Sequence, residues 1–279
     1  MLSIRLMTAD DLPFGMYLKD QAGWNQTAAD WRRFLALEPT GCFLAEVDGQ
    51  PAGTLTTCVF GSVAWIAMVL VDEARRGQGI GSALMKHALA YLDEREVPTV
   101  RLDATALGRP LYEKLGFADE YLLTRFGGTP TALPAQEPLR PFTAEDLAAV
   151  AWLDRQIAGA DREKLLYHLL LEHPEDARVL LRNGQAGGYC ALRPGTRARQ
   201  IGPCMANVSH VGQRLLADAL TRCAGQPVMI DVPDENAAAI ALAQQAGLSA
   251  QRAFVRMYRG VLPVDEVTGI WASSGPEKG

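Results

Sequence analysis

The chain has 279 residues, 48% of them apolar and 21% charged, with a formal net charge of −5 at pH 7. That length suits two domains better than one core, and the composition is that of a globular protein. The mild negative balance argues against a basic nucleic-acid-binding face, and no apolar run approaches the roughly 18 residues of a membrane span.

In chain order, apolar periodicity predicts strand 3–7, helices over about 9–20 and 27–37, and strands 42–47, 52–59 and 63–71. A helix over 80–95, strand 98–103, helix 108–115 and strand 117–126 follow. Asp10 is placed to cap the first helix, and Thr27 or Asp30 to cap or charge the start of the second. Alternating strands and helices predict an α/β fold with mixed α+β character. Gly127 to Pro141 is dense in glycine and proline and reads as a linker. The expected division is a first unit over 1–130, a linker over 131–138 and a second unit over 139–279.

The second unit repeats the first. Arg5 through Leu12 matches Arg140 through Leu147, and Asp48-Gly49-Gln50 matches Asn183-Gly184-Gln185, each pair 135 positions apart. Gly81, Leu84, Ala88, Gly116 and Arg125 match Gly212, Leu215, Ala219, Gly247 and Arg256 at 131. The fold expected is therefore two tandem units, each a twisted mixed sheet flanked by helices.

The richest motif is Arg75-Arg76-Gly77-Gln78-Gly79-Ile80-Gly81-Ser82, between the apolar run Trp65–Val71 and a helical pattern. Free N–H groups and the helix dipole make such a helix start an anion site. Glycines admit a phosphate close to the backbone, and arginine adds charge-assisted hydrogen bonds. In the second unit the same positions read Asn207-Val208-Ser209-His210, and Tyr112 becomes Ala243. One nucleotide site, in the first unit, is expected, with His210 read as a solvated or capping loop residue.

Taken with Leu111-Tyr112-Glu113-Lys114-Leu115-Gly116-Phe117, this loop resembles the GNAT acyltransferase superfamily over roughly residues 2 to 126. Leu102–Thr105, Gly108–Pro110 and Gly275–Gly279 are similar to tandem GNAT proteins whose second domain has diverged. The resemblance implies acetyl-CoA as donor substrate, with its pyrophosphate on Arg76, Gly77, Gln78, Gly79, Ile80, Gly81 and Ser82. It implies a sheet splayed between strands 63–71 and 98–103. There the backbone of Val69 and Val71 would bond the pantetheine like an added strand, with the Val69 N–H on the thioester carbonyl. It makes Tyr112 either a general acid toward the leaving thiolate or a ring packed on the coenzyme arm. It sets the acceptor pocket at the first two helices. Trp24 and Asn25 could bind an amine there by cation–π contact and hydrogen bonds.

The general base is less marked. Strand 63–71 has Trp65 where some members carry a glutamate. Asp103 is a candidate base, or a cap for the turn into helix 108–115, and Glu46 is a weaker candidate. His87 is expected to face solvent and Trp31 to be core. Asp231–Pro233 and Phe254–Met257 would either close the pocket or be structural.

The expected function is N-acetyl transfer from acetyl-CoA to a small-molecule primary amine by direct attack in a ternary complex. The alternative is a noncatalytic acyl-CoA sensor or interaction module. Five scattered cysteines without a Cys-x-x-Cys pair read as buried thiols, and the four histidines suggest no metal. Met1 leads directly into a strand pattern rather than a secretory leader, so a cytoplasmic protein is expected. It would have no membrane or nucleic-acid partner, and would be a monomer with pseudo-dimeric halves or a homodimer.

Overall fold

A computed structural model describes the chain apart from residues 135–136 and 183–184. Part of the expected linker and the Asn183-Gly184 repeat match lie outside the described residues. The first half runs β1 (Leu2–Leu6), α1 (Leu12–Gln21), α2 (Ala28–Leu37), β2 (Cys42–Val47), β3 (Gln50–Phe60), β4 (Val63–Val71), α3 (Ile80–Asp93), β5 (Thr99–Ala104), α4 (Arg109–Lys114) and β6 (Ala118–Gly128). The second repeats this order as β7 (Arg140–Pro141), α5 (Leu147–Ala158), α6 (Glu163–Glu172), β8 (Arg178–Arg182), β9 (Gln185–Arg193), β10 (Arg199–Ala206), α7 (Ser209–Arg222), β11 (Val228–Pro233), α8 (Ala237–Gln245) and β12 (Ser249–Gly260). A short β13 (Ile270–Ala272) follows.

Local chemistry sets the entrances to α1 and α5. The carboxylate of Asp11, not Asp10, accepts from the Thr8 N–H (2.8 Å) and hydroxyl (3.0 Å). It also takes a two-pronged contact from Arg5, both bonds 2.8 Å. Asp11 stands three residues after Thr8, the spacing from which a carboxylate reaches back to the N-cap; Asp10 stands one residue short. Arg140, Thr143 and Asp146 repeat this device in the second half. At α2, Thr27 and Asp30 act together as a reciprocal box.

The two halves do not keep separate sheets. The strands form one mixed sheet in the order β1-β2-β3-β4-β5-β12-β6-β11-β10-β9-β8-β7. β12 of the second half lies between β5 and β6 of the first, and β6 lies between β12 and β11. Each half thus lends its last long strand to the other. Val255 faces Ala104 and Gly260 faces Thr99 on one side of the exchange. Gly128 faces Val228 and Leu123 faces Pro233 on the other. Two buried ion pairs fasten it: Arg256 with Asp103 (2.9 and 3.0 Å) and Arg125 with Asp231 (2.7 and 2.8 Å).

The first half has apolar layers on both sheet faces. Leu84 of α3 packs with Ile66, Leu102 and Tyr112. Trp31 and Phe34 of α2 pack with Trp65 and Met68 on the other face, where Leu165 and Leu169 of α6 join them. All five cysteines are buried and unpaired. Among the described residues no helix is long and apolar enough to cross a membrane.

Candidate functional site

β4 and β5 run parallel and are paired only from Val63 to Trp65 against Thr99 to Arg101; beyond that they part. β4 also carries a bulge. Thr54 faces Leu70 and Thr56 faces Ala67, so Met68 and Val69 together oppose Leu55. Met68 has a φ of 50°, and the Thr54 hydroxyl donates to its carbonyl at 3.0 Å. The extra residue resets the alternation of side chains. Trp65, Ala67, Met68 and Leu70 pack under α1 and α2, while Ile66, Val69 and Val71 pack under α3.

The glycine loop closes one end of the gap. Asp72 accepts from the Ala74 N–H (3.0 Å) and starts a short turn; Gly77 and Gly79 then have φ of 77° and 79°, and α3 begins at Ile80. Only glycine takes such angles without strain. A Cβ at either position would meet nothing within 4 Å, so the space above the loop is open. Gly81 differs: a Cβ there would touch Val71 and Leu111 at ordinary distances. The Arg76 Nε donates to the Val71 carbonyl (3.2 Å), and its Nη1 lies 3.3 Å from Glu73.

A continuous cleft of about 670 Å³ passes through the gap. Its first end is lined by Val69, Val71, Arg76, Gly77, Gly79, Ile80, Gly81, Ser82 and Tyr112. Gln78 is exposed and is the one residue of the 76–82 loop outside the lining. Tyr112 packs at a tilt of 60° on Phe117, with ring centroids 6.1 Å apart, and lies so close to Gly108 that a Cβ there would come within 2.9 Å of its ring. Among the described residues its hydroxyl has no hydrogen-bond partner. Burial pushes the hydroxyl up to about 12.

The far end is lined by Trp24, Gln26, Asp103, Arg125, Arg252, Phe254, Pro276 and Glu277. Four of these come from the second half, which therefore shapes this end. The segment after β13 delivers Pro276 and Glu277. The Trp65 indole donates to the Pro276 carbonyl (3.1 Å), and Gln26 Nε2 donates to Glu277 (3.1 Å). Glu277 also takes Arg193 and Lys278 (2.6 Å), and these cations hold its carboxyl well below the usual range despite burial. Arg193 and Arg33 meet Asp30 at 2.9 and 2.8 Å.

Two expectations from sequence are corrected here. Asn25 does not face the cleft. Its side chain accepts from the Arg197 and Ala198 N–H groups (2.9 and 3.1 Å) and donates to the Ala198 carbonyl (2.9 Å), pinning a turn of the second half. Among the described residues Asp103 caps no helix, and it is not a free carboxylate, because both oxygens accept from Arg256. Burial pushes its carboxyl upward against the pull of that arginine. Glu46 pairs with Arg5 (2.8 Å) outside the cleft, His87 is exposed, and Trp31 is core. The sequence marked Phe254 but missed Gln26, Arg125, Arg252 and Glu277 as lining residues. The repeated Arg125 and Arg256 were the available signal.

The counterpart site in the second half is filled from within. β10 and β11 pair from Arg199 to Ile201 and then part, as β4 and β5 do. β13 occupies that opening, pairing with β10 at Cys204 and Met205, while the Ser273 N–H donates to the Asp231 carbonyl of β11 (2.9 Å). Trp271 packs so tightly on Gly212 that a Cβ there would lie 2.0 Å from its indole. A smaller hollow of about 270 Å³ remains beside Asn207 and Ser209. His173, Glu175 and Asp176 also have ligand atoms within 4.8 Å of one another, a grouping the histidine spacing did not suggest. Asp176 is bridged by Arg199 (2.5 Å) and Arg222 (3.0 Å), which would oppose a cation.

The splayed parallel pair and the bulge, with the glycine loop opening α3, define a GNAT acetyltransferase fold in the first half, and the second half repeats its order of elements without the glycine loop. The profile described as "Acetyltransferase (GNAT) family" matches residues 8–117, and that described as "Acetyltransferase (GNAT) domain" matches residues 150–269. The chain belongs to the GNAT superfamily as a tandem-domain N-acyltransferase. It is 28% identical, over 77% of each chain, to the uncharacterized N-acetyltransferase YitH of Bacillus subtilis. It is 36% identical to the mycothiol acetyltransferase of Thermomonospora curvata, but over only 35% of each chain. A Pyrococcus horikoshii protein described as a candidate acetyltransferase has a similar crystal structure, with a TM-score of 0.86 and 25% identity over 100% of this chain and 96% of that one. A tandem GNAT protein from the clavulanic acid biosynthesis pathway shares the fold, with a TM-score of 0.65 at 16% identity over 95% of this chain and 100% of that one.

Proposed function

We propose that the chain transfers an acetyl group from acetyl-CoA to a primary amine of a small molecule, by direct attack with both substrates in one cleft. The observation that carries this reading is the convergence of the glycine loop, the β4–β5 gap and Tyr112 on one continuous cleft that stays open as far as Trp24 and Glu277. Acetyl-CoA, when bound, supplies the activated thioester acetyl group. The open N–H groups of the loop before α3, with Arg76, are suited to its pyrophosphate. Val69 and Val71 border the gap where a pantetheine would run, and the Val69 N–H is our candidate for holding the carbonyl oxygen as negative charge builds on it.

The amine nitrogen replaces sulfur on the acyl carbon. Tyr112 is protonated at any ordinary pH, gives that proton to the departing sulfur and retakes one from solvent through the cleft. The proton leaving nitrogen passes to solvent, since Asp103 is committed to Arg256 and Glu277 to its cations. We therefore assign Asp103 a positioning role. Incubating the protein with acetyl-CoA and a panel of primary amines, and reading released thiol, tests the proposal. Amine-dependent thiol release is expected, and none across a broad panel would overturn it.

A further inference from the structure

We propose that the acceptor is an amine that also carries an anionic group, bound by Arg125 and Arg252 at the far end of the cleft while Gln26 receives the amine. This rests on the acyl-transfer reading above and names its substrate class. Arg252 of β12 and Arg125 of β6 face each other directly across the ladder, and both line the cleft. Like charges in that position repel unless something lies between them. Asp231 answers for only one. It takes Nε and Nη2 of the buried Arg125, leaving Nη1 without a partner among the described residues and not sealed from solvent. Arg252 is exposed and has neither an ion pair nor a side-chain hydrogen bond among the described residues.

The cations neighbouring these two arginines have acidic partners. Asp103 answers Arg256, and the cluster of Asp30, Glu277, Arg33, Glu172, Arg193 and Lys278 holds three of each sign. Of the arginines lining this end, Arg252 alone has no acidic partner among the described residues. A guanidinium fork suits a carboxylate or a phosphate ester.

Gln26 supplies the second half of the match. It is 4% exposed and lines the cleft, its Nε2 is spent on Glu277, and its Oε1 is buried with no hydrogen-bond partner. A buried carbonyl left unmade is costly and calls for a donor, which an amine N–H provides. Trp24 flanks the same end and offers a ring face for the carbon skeleton between the two groups, while Phe254 backs Arg125, whose guanidinium lies over its ring at 5.2 Å.

The test compares matched acceptors with acetyl-CoA: leucine against 3-methylbutylamine, and phosphoethanolamine against ethanolamine, each corrected for the fraction of free amine. At least one anion-bearing member should exceed its neutral partner tenfold or more in kcat/KM, and the responding pair tells carboxylate from phosphate. Arg252→Gln should cut that advantage below threefold, with acetyl-CoA affinity within twofold of wild type. Calorimetry of the same compounds with CoA-loaded protein should give the same order, so the anion preference is tested even if turnover fails. Neutral members binding as well in both pairs would overturn the proposal. So would an Arg252→Gln variant whose defect is in acetyl-CoA binding. Absence of acetyl-CoA binding or of any amine-dependent thiol release would instead refute the acyl-transfer reading.

Discussion

Arg256, on the last long strand of the second half, gives two nitrogens of its guanidinium to Asp103 at the end of β5 in the first half, at 2.9 and 3.0 Å. Its repeat partner Arg125 does the same in the opposite direction, to Asp231 of β11. The two pairs are related as the halves are, and each fixes a strand in the other half's sheet.

Breaking the first pair should therefore cost stability before chemistry. Asp103→Ala is expected to lower stability by about 3–5 kcal/mol, because it leaves a buried guanidinium unanswered. Removing Arg256 as well should restore part of the loss. Denaturant titration of the single and double variants measures this coupling. A fully stable Asp103→Asn variant with a kcat depressed a hundredfold would return Asp103 to the role of base.

Gly79→Val should abolish acetyl-CoA binding, at least a hundredfold by calorimetry. A Cβ at Gly79 would meet nothing within 4 Å, so the cost falls on the backbone at φ of 79° and on phosphate approach. Unchanged affinity would refute the assignment of the loop.

Tyr112→Phe should lower kcat roughly ten- to a thousandfold and leave acetyl-CoA affinity nearly intact, since general acids supply about 10²–10⁴-fold and water replaces part of that. The raised acid keeps its proton until pH climbs through about 12. No descending limb of kcat is therefore expected below about pH 10. A change confined to KM would recast Tyr112 as a binding residue.

Strand exchange makes the halves interdependent. Residues 139–279 alone should show no turnover. Residues 1–138 alone would leave facing edges of β5 and β6 uncovered and should aggregate or pair with a second copy, read by size-exclusion chromatography. The intact chain should bind one acetyl-CoA by calorimetry, because β13 and Trp271 fill the second opening. Two equivalent sites would overturn this.

Local and repeated features were legible from sequence because they depend on near neighbours. The glycine loop needs only a strand, positive φ and a helix start. The capping at α2 is local too, with Thr27 and Asp30 both marked, whereas at α1 the reading of Asp10 as the cap missed the pair Thr8 and Asp11. The two-copy order follows from matched residues at constant offset.

What tertiary structure alone decided lies in pairings between distant segments. Uninterrupted alternation along Trp65–Val71 would put Val69 on the same face as Trp65; the bulge at Met68, set by register with β3, turns it to the other. β6 and β12 are copies of one strand, so sequence cannot say which of them lies beside β5; burial of both in a shared sheet decides it. Asn25 was assigned to the cleft by its neighbours in the chain, but three unpaired backbone groups at Arg197 and Ala198 claimed it. Gln26 and Glu277, 251 positions apart, meet only because the segment after β13 threads the second half's opening. The chain's local physics specifies the glycine loop, and its long-range packing specifies the far end of the cleft.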